Sequence, residues 1–200
     1  KYQKVNELIK EKCGHEAAFR LSESPIFLTK EFWKKLDDAS QSIISQIKEM
    51  PDEELRKAIP TNCNVPNDTQ KPHFIAIDFG ICQDENGNVI PQLIELQAFP
   101  SLFGFQKLFE EVITEVYPFL NELKNSLPKD EYIKKLKQVI VGNENPENVI
   151  LLEIYPEKQK TAIDFALTEQ YLGIKTVCLT KIKKEGKKLF YENGGKLVPI

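Results

Sequence analysis

The sequence predicts an α/β chain: a mostly helical N-terminal part, an antiparallel β-hairpin with helices, and a C-terminal βαβ unit with a trailing hairpin. Three observations carry this expectation. Apolar residues recur at helical spacing through roughly the first fifty positions. Two apolar, strand-like runs flank Asp84-Glu-Asn-Gly-Asn88, and Asn-Gly is the strongest short hairpin signal a sequence offers. Near the C-terminus, Val149-Ile-Leu-Leu-Glu-Ile154 is a nearly continuous apolar run of the kind buried in a parallel sheet. A helical pattern and a second such run, Ile174–Leu179, follow it, and that rhythm predicts a right-handed βαβ unit.

Composition narrows the class. Two hundred residues suit one large domain or two small ones, and 41% hydrophobic content is enough for a core. The net charge of −3 comes from mixed lysines and glutamates, with no basic stripe that would argue for nucleic acid. The longest apolar runs are about five residues, far below a membrane span. There is no signal-peptide pattern, although the chain starts at Lys1 rather than Met. Cys13, Cys63, Cys82 and Cys178 lie far apart with no CxxC pair, which predicts free thiols in a reduced, cytoplasmic protein.

The elements follow in order. Val5, Leu8, Ile9 and Cys13 predict a helix that stops at Gly14. Ser22-Glu-Ser-Pro25 breaks the chain. Thr29 has the right chemistry for an N-cap, and Trp33, Leu36, Ile43, Ile44 and Ile47 mark one or two amphipathic helices to about Met50. Pro51-Asp-Glu-Glu54 opens another helical turn, with acidic residues where the helix dipole favours them. Residues 60–72 read as a surface loop rich in proline and asparagine. After the first hairpin, Ser101 is the expected cap of a helix through Phe105, Leu108, Phe109, Val112 and Val116. The dense Phe99, Phe103, Phe105 and Phe109 predict core packing. Pro118 interrupts, Pro128 opens a helix to about Ile140, and residues 142–146 form a loop. A helix is then expected from about Lys158 to Leu172, with Gly173 as its left-handed terminator. Lys188–Glu192 and Lys196–Ile200 predict a hairpin around Asn193-Gly-Gly195. The chain stops inside that apolar pattern, so a fragment is expected.

The chemistry centres on the first hairpin. If Asn86 and Gly87 are the two central turn residues, antiparallel partners have numbers that sum to 173. That register sets Asp78 opposite Glu95, Ala76 opposite Gln97, Ile77 opposite Leu96 and Phe79 opposite Ile94. Facing carboxylates repel, so something positive is expected between them: a Lys or Arg, a shared proton or a divalent cation. Glu95 and Gln97 project to one face, and with Asp78 they make three oxygen donors. Hard cations such as Mg²⁺ take carboxylate and amide oxygens and keep waters or phosphates as remaining ligands. The same residues also read as solvated side chains on the wet face of a sheet.

Asp78-Phe79, the hairpin, and Leu93-Ile-Glu-Leu-Gln97 followed by Pro100-Ser-Leu102 resemble the metal-binding strand pair of ATP-grasp ligases. The hairpin precedes the βαβ unit, an order similar to the circularly permuted branch that includes glutathionylspermidine synthases. The resemblance covers residues 74–106 and 148–200. Two departures stand out: Gln97 occupies a position where asparagine is usual, and the hairpin is long. The resemblance implies a permuted ATP-grasp portion at residues 1–145 and a Rossmann-like pre-ATP-grasp module at 146–200, truncated at its C-terminal end. It implies Mg²⁺ and ATP as cofactors, Asp78, Glu95 and Gln97 as metal ligands, and small-molecule carboxylate and amine substrates. The ATP-binding portion would then lie beyond Ile200. It further implies a substrate role for the loop after the first βαβ strand, where Lys158, Lys160 and Thr161 sit at a helix N-terminus. Ordinary helix-start chemistry with solvated lysines is the alternative there. Neither GxGxxG nor GxxxxGK[ST] is present.

Ser101, without GxSxG around it, is a cap or a substrate contact rather than a nucleophile. Arg20 and Arg56 are the only arginines; Arg20, just before the Ser22–Pro25 break, is a candidate substrate-binding residue. His15 and His73 sit in no catalytic or zinc-binding context. The expectation is a fragment of a Mg-ATP-dependent carboxylate–amine ligase working through an acyl phosphate, with its catalytic residues unassigned. The alternatives are a non-catalytic binding protein that keeps the fold, or a divalent-metal-dependent hydrolase.

Overall fold

A computed structural model describes residues 1–66, 72–98, 101–124 and 126–200. Phe99 and Pro100, together with residues 67–71 of the expected surface loop, lie outside the described residues. The chain is mixed α/β and divides into two compact units: residues 24–100, and residues 1–23 joined with 101–200.

The unit of residues 24–100 holds α2 (Lys30–Glu49), the short α3 (Asp52–Lys57) and a hairpin of β1 (Ala76–Gln83) and β2 (Val89–Gln97). Thr29 caps α2 as expected: its side chain accepts the Phe32 amide at 3.1 Å, satisfying an otherwise orphaned N–H. The expected one or two helices are a single helix, which packs against β2. Pro91 is tolerated in β2 because each strand of a two-stranded sheet is also an edge.

The hairpin corrects the sequence reading in two places. Asn86-Gly87 is not a two-residue turn. Asp84 O accepts the Gly87 amide at 3.0 Å, and Asp84 N donates to Asn88 O at 3.0 Å, with Gly87 left-handed at φ 79°. Glycine adopts that conformation without a Cβ clash. Asp84 organises the turn: its carboxylate accepts the amides of Asn86 (2.9 Å) and Asn88 (2.8 Å) and the Asn88 side-chain amide (2.9 Å). This longer turn moves the adjacent pairs by one, so Gln83 faces Val89 and Phe79 faces Leu93, not Ile94. A bulge between Asp78 and Phe79 then shifts the ladder back. Beyond it, Asp78 faces Glu95, Ile77 faces Leu96 and Ala76 faces Gln97, as the sequence predicts. The two irregularities cancel at the carboxylate pair.

The other unit is built on α1 (Tyr2–Cys13), α4 (Phe103–Val116), α5 (Lys129–Ile140) and α6 (Ala162–Leu172). Its core joins Val5 and Ile9 of α1 to Phe105, Leu108 and Val112 of α4 and Ile163 and Leu167 of α6. Phe105 stacks with Phe109 and meets Phe19 edge-on, so these members of the phenylalanine cluster serve as core. Gly104 allows α4 and α6 to approach closely, since a Cβ there would lie 3.0 Å from Leu167 Cβ. The buried Lys107 donates to Leu127 O at 2.7 Å and Glu110 Oε2 at 3.0 Å.

Strands β3 (Ile150–Glu153) and β4 (Lys175–Cys178) pair in parallel across α6, which ends at a left-handed Gly173 (φ 75°). The helix starts later than expected because a 3₁₀ turn, Pro156–Lys158, comes first. The expected C-terminal hairpin gains a strand: β5 (Lys183–Glu185), β6 (Lys188–Asn193) and β7 (Lys196–Pro199) form an antiparallel sheet. Tyr191 of β6 is buried and donates its hydroxyl to Glu147 O at 2.8 Å. No helix among the described residues is long and apolar enough to cross a membrane.

Candidate functional site

The bulge sets the geometry of the hairpin's polar patch. Ile94, the extra residue, lies over Gly80, where its side chain would touch an added Cβ. Downstream of it, Asp78, Glu95 and Gln97 share one face of the ladder. Opposed carboxylates need a compensating positive group, and Gln97 supplies one. Its Nε2 donates to Asp78 Oδ2 at 2.9 Å and to Glu95 Oε1 at 2.6 Å. A neutral amide thus holds two anions with the positive end of its dipole, an answer absent from the three expected: lysine or arginine, a shared proton, or a metal. Asp78 and Gln97 are half-buried and Glu95 is exposed.

A hard cation fits the chemistry of this donor set under one condition. With Nε2 turned to the carboxylates, the Gln97 oxygen points elsewhere; rotating the amide by a half-turn would offer Oε1 instead. Two carboxylates and one amide oxygen would then converge, leaving further positions for water or phosphate oxygens. Among the described residues no group of three or more His, Cys, Asp or Glu side chains could hold a metal, so this set depends on the amide.

The five candidate substrate residues belong to the other unit. Ser101 is exposed and does not cap α4, which corrects the sequence expectation. The cap comes from α6 instead: Asp164, 6% exposed, accepts the amides of Leu102 (2.9 Å) and Phe105 (2.8 Å). Leu102 is held left-handed at φ 73°, a conformation that non-glycine residues seldom adopt. Burial pushes the Asp164 carboxyl up from its ordinary value, while the Phe105, Leu102 and Gly104 amides pull it back part of the way. Sequence reasoning missed Asp164 because nothing local ties it to a helix that begins some sixty residues earlier.

The Leu102–Asp164 bond brings Ser101 beside the first turn of α6, which Thr161 precedes without a side-chain cap of its own. Lys158 stands over the Tyr155 ring, 4.9 Å from its centroid, and Lys160 is exposed. Arg20 is exposed as well.

No family model, curated protein or solved structure matches this chain. Of the groups that sequence reading left without a functional role, Tyr155 lies two residues past β3 and Cys178 is the last residue of β4. Tyr155 is left-handed at φ 48°, and its amide donates to Cys178 Sγ at 3.4 Å. The thiol is held below its ordinary value chiefly by its hydrogen bond to Thr180 Oγ1 at 3.1 Å, and then by the Tyr155 amide. All four cysteines are free.

Proposed function

We propose that this chain is part of a Mg-ATP-dependent carboxylate–amine ligase of the permuted ATP-grasp type. The observation that carries the reading is the convergence of Asp78, Glu95 and Gln97 on one face of a hairpin that precedes a parallel β–α–β unit. Asp78 and Glu95 would hold Mg²⁺, with Gln97 as third ligand once its amide turns. When bound, the ion neutralises charge on nucleotide phosphates during phosphoryl transfer to a carboxylate. The chain's own contribution is positional. The bulged ladder fixes two carboxylates directly opposite each other, and Gln97 keeps them compatible in the absence of a cation. In the other unit, Ser101, Thr161, Lys158, Lys160 and Arg20 would contact the substrate, the lysines and arginine by charge and the hydroxyls by hydrogen bonding. The Rossmann-like, pre-ATP-grasp character of the β–α–β unit belongs to the same proposal. So does a nucleotide-gripping segment of the same protein outside these 200 residues.

A second reading has its own observation. The Gln97 amide already donates one hydrogen bond to each carboxylate, which offsets their repulsion in a binding protein that never takes up a metal. Calorimetry on the full-length gene product separates the two. The ligase reading expects Mg²⁺ and ATP to bind in a coupled manner that Glu95→Ala abolishes. Equal affinity in the variant, or none in the parent, would leave the binding protein standing.

A further inference from the structure

We propose that the cleft between β4 and the β5–β6–β7 sheet binds a small phosphate-bearing anion. The inference rests on residues of the C-terminal segment alone and is independent of the ligase reading. The cleft has a volume of about 640 Å³, and Lys175, Thr176, Thr180, Lys181, Lys183 and Glu192 are among the residues that line it. That volume falls within the range of about 300–1,000 Å³ typical of small-molecule sites.

Charge points to the ligand class. Residues 175–200 carry seven lysines and two glutamates, a net of +5, in a chain whose total is −3. Three of these lysines, Lys175, Lys181 and Lys183, line the cleft with one glutamate, Glu192, and a concave surface with that excess of positive charge raises the local concentration of anions. The cationic groups are only lightly committed. Among the described residues Lys181 makes no ion pair, Lys183 reaches Glu192 at 3.4 Å with both side chains more than half exposed, and Lys175 lies 3.7 Å from Glu169. Exposed pairs of this kind are weak and yield readily to a better partner.

The polar lining refines the class. Thr176 and Thr180 both line the cleft, and of the two Thr180 is the exposed one. Its hydroxyl stands among the lysines. There is no arginine in the segment, and so no planar fork for bidentate carboxylate recognition. Ammonium point charges with hydroxyl donors suit the several oxygens of a phosphate. A concave cleft of this volume suits a small molecule.

Titration of the protein with inorganic pyrophosphate, followed by calorimetry and amide chemical shifts, tests the proposal. Saturable binding is expected, with shifts confined to residues 175–183 and 191–195. The double variant Lys181→Ala/Lys183→Ala should weaken it at least about tenfold, whereas Lys134→Ala/Lys135→Ala on α5 removes the same charge and should leave it unchanged. Thr180→Val should weaken binding several-fold with the circular dichroism spectrum intact. Absence of saturation, equal loss in both lysine pairs, or shifts centred elsewhere would overturn the assignment. So would an affinity for single-stranded oligonucleotides that exceeds that for pyrophosphate and grows with length, since that is the behaviour of a polymer-binding face.

Discussion

Replacing Asp164 with alanine tests the long-range cap that joins α6 to α4. The carboxylate is almost fully buried and accepts two short backbone hydrogen bonds, from Leu102 at 2.9 Å and Phe105 at 2.8 Å. Hydrogen bonds to a charged group contribute about 1.5–3 kcal/mol each, and N-cap removal typically costs about 0.5–2 kcal/mol. The two bonds share one acceptor whose burial is itself costly, so the sum is less than the parts. We expect Asp164→Ala to lose about 3 kcal/mol and Asp164→Asn, which keeps one acceptor oxygen, about half of that. Urea denaturation followed by far-ultraviolet circular dichroism reads the global loss. Hydrogen exchange at Leu102 and Phe105 reads the local one, because those two amides should lose protection first. Acidity gives an independent check. Burial raises the folded-state pKa of Asp164 above the unfolded value of about 3.9, so the stability linked to this group is complete below about pH 4. It declines as pH rises through the folded-state pKa, and Asp164→Asn should lack that decline. Unchanged stability in the alanine variant, with Leu102 and Phe105 still protected, would refute the capping role.

Three further outcomes follow from the same geometry. Gly104→Ala gains about 1 kcal/mol of helix propensity but sets a Cβ 3.0 Å from Leu167 Cβ and 3.3 Å from Asp164 Oδ1; overpacking of this kind costs about 1–3 kcal/mol, so a lower melting temperature is expected. At the hairpin turn, the Asn88 side-chain and backbone amides hold the Asp84 carboxyl below its ordinary value. Its stabilising effect is therefore present above about pH 4 and lost as pH falls through the folded-state pKa, and Asp84→Asn should flatten the acid dependence of hairpin amide exchange. Gln97→Leu removes the donor between Asp78 and Glu95 and should destabilise the hairpin by about 1 kcal/mol. Millimolar Mg²⁺ should raise the melting temperature of the parent but not of Gln97→Leu, which lacks the third ligand; no shift in the parent would count against the metal site.

Much of the local structure was legible in the residues themselves. Thr29 caps α2, Gly14 and Gly173 terminate helices in left-handed conformations, and the alternation around Asp84–Asn88 places Asp78 opposite Glu95. These features depend on neighbours within a few positions, where side-chain chemistry and backbone preference act directly. The carboxylate pairing was reached through an incomplete ladder, since the longer turn and the bulge shift the register in opposite directions. Strand β5 had no apolar signal, because Lys183-Lys-Glu185 is a charged edge held by its backbone bonds to β6.

What tertiary structure alone decided are the relations between distant segments. Ser101 has the right chemistry for a cap, yet the Leu102 and Phe105 amides turn to Asp164, whose buried carboxylate is the stronger acceptor. Residues 1–23 join 101–200 because Val5 and Ile9 bury against α4 and α6, a choice that apolar periodicity leaves open. The Gln97 amide between two carboxylates belongs here too. Alternation assigned the three side chains to one face, but only their positions in space show which end of the amide meets the charge.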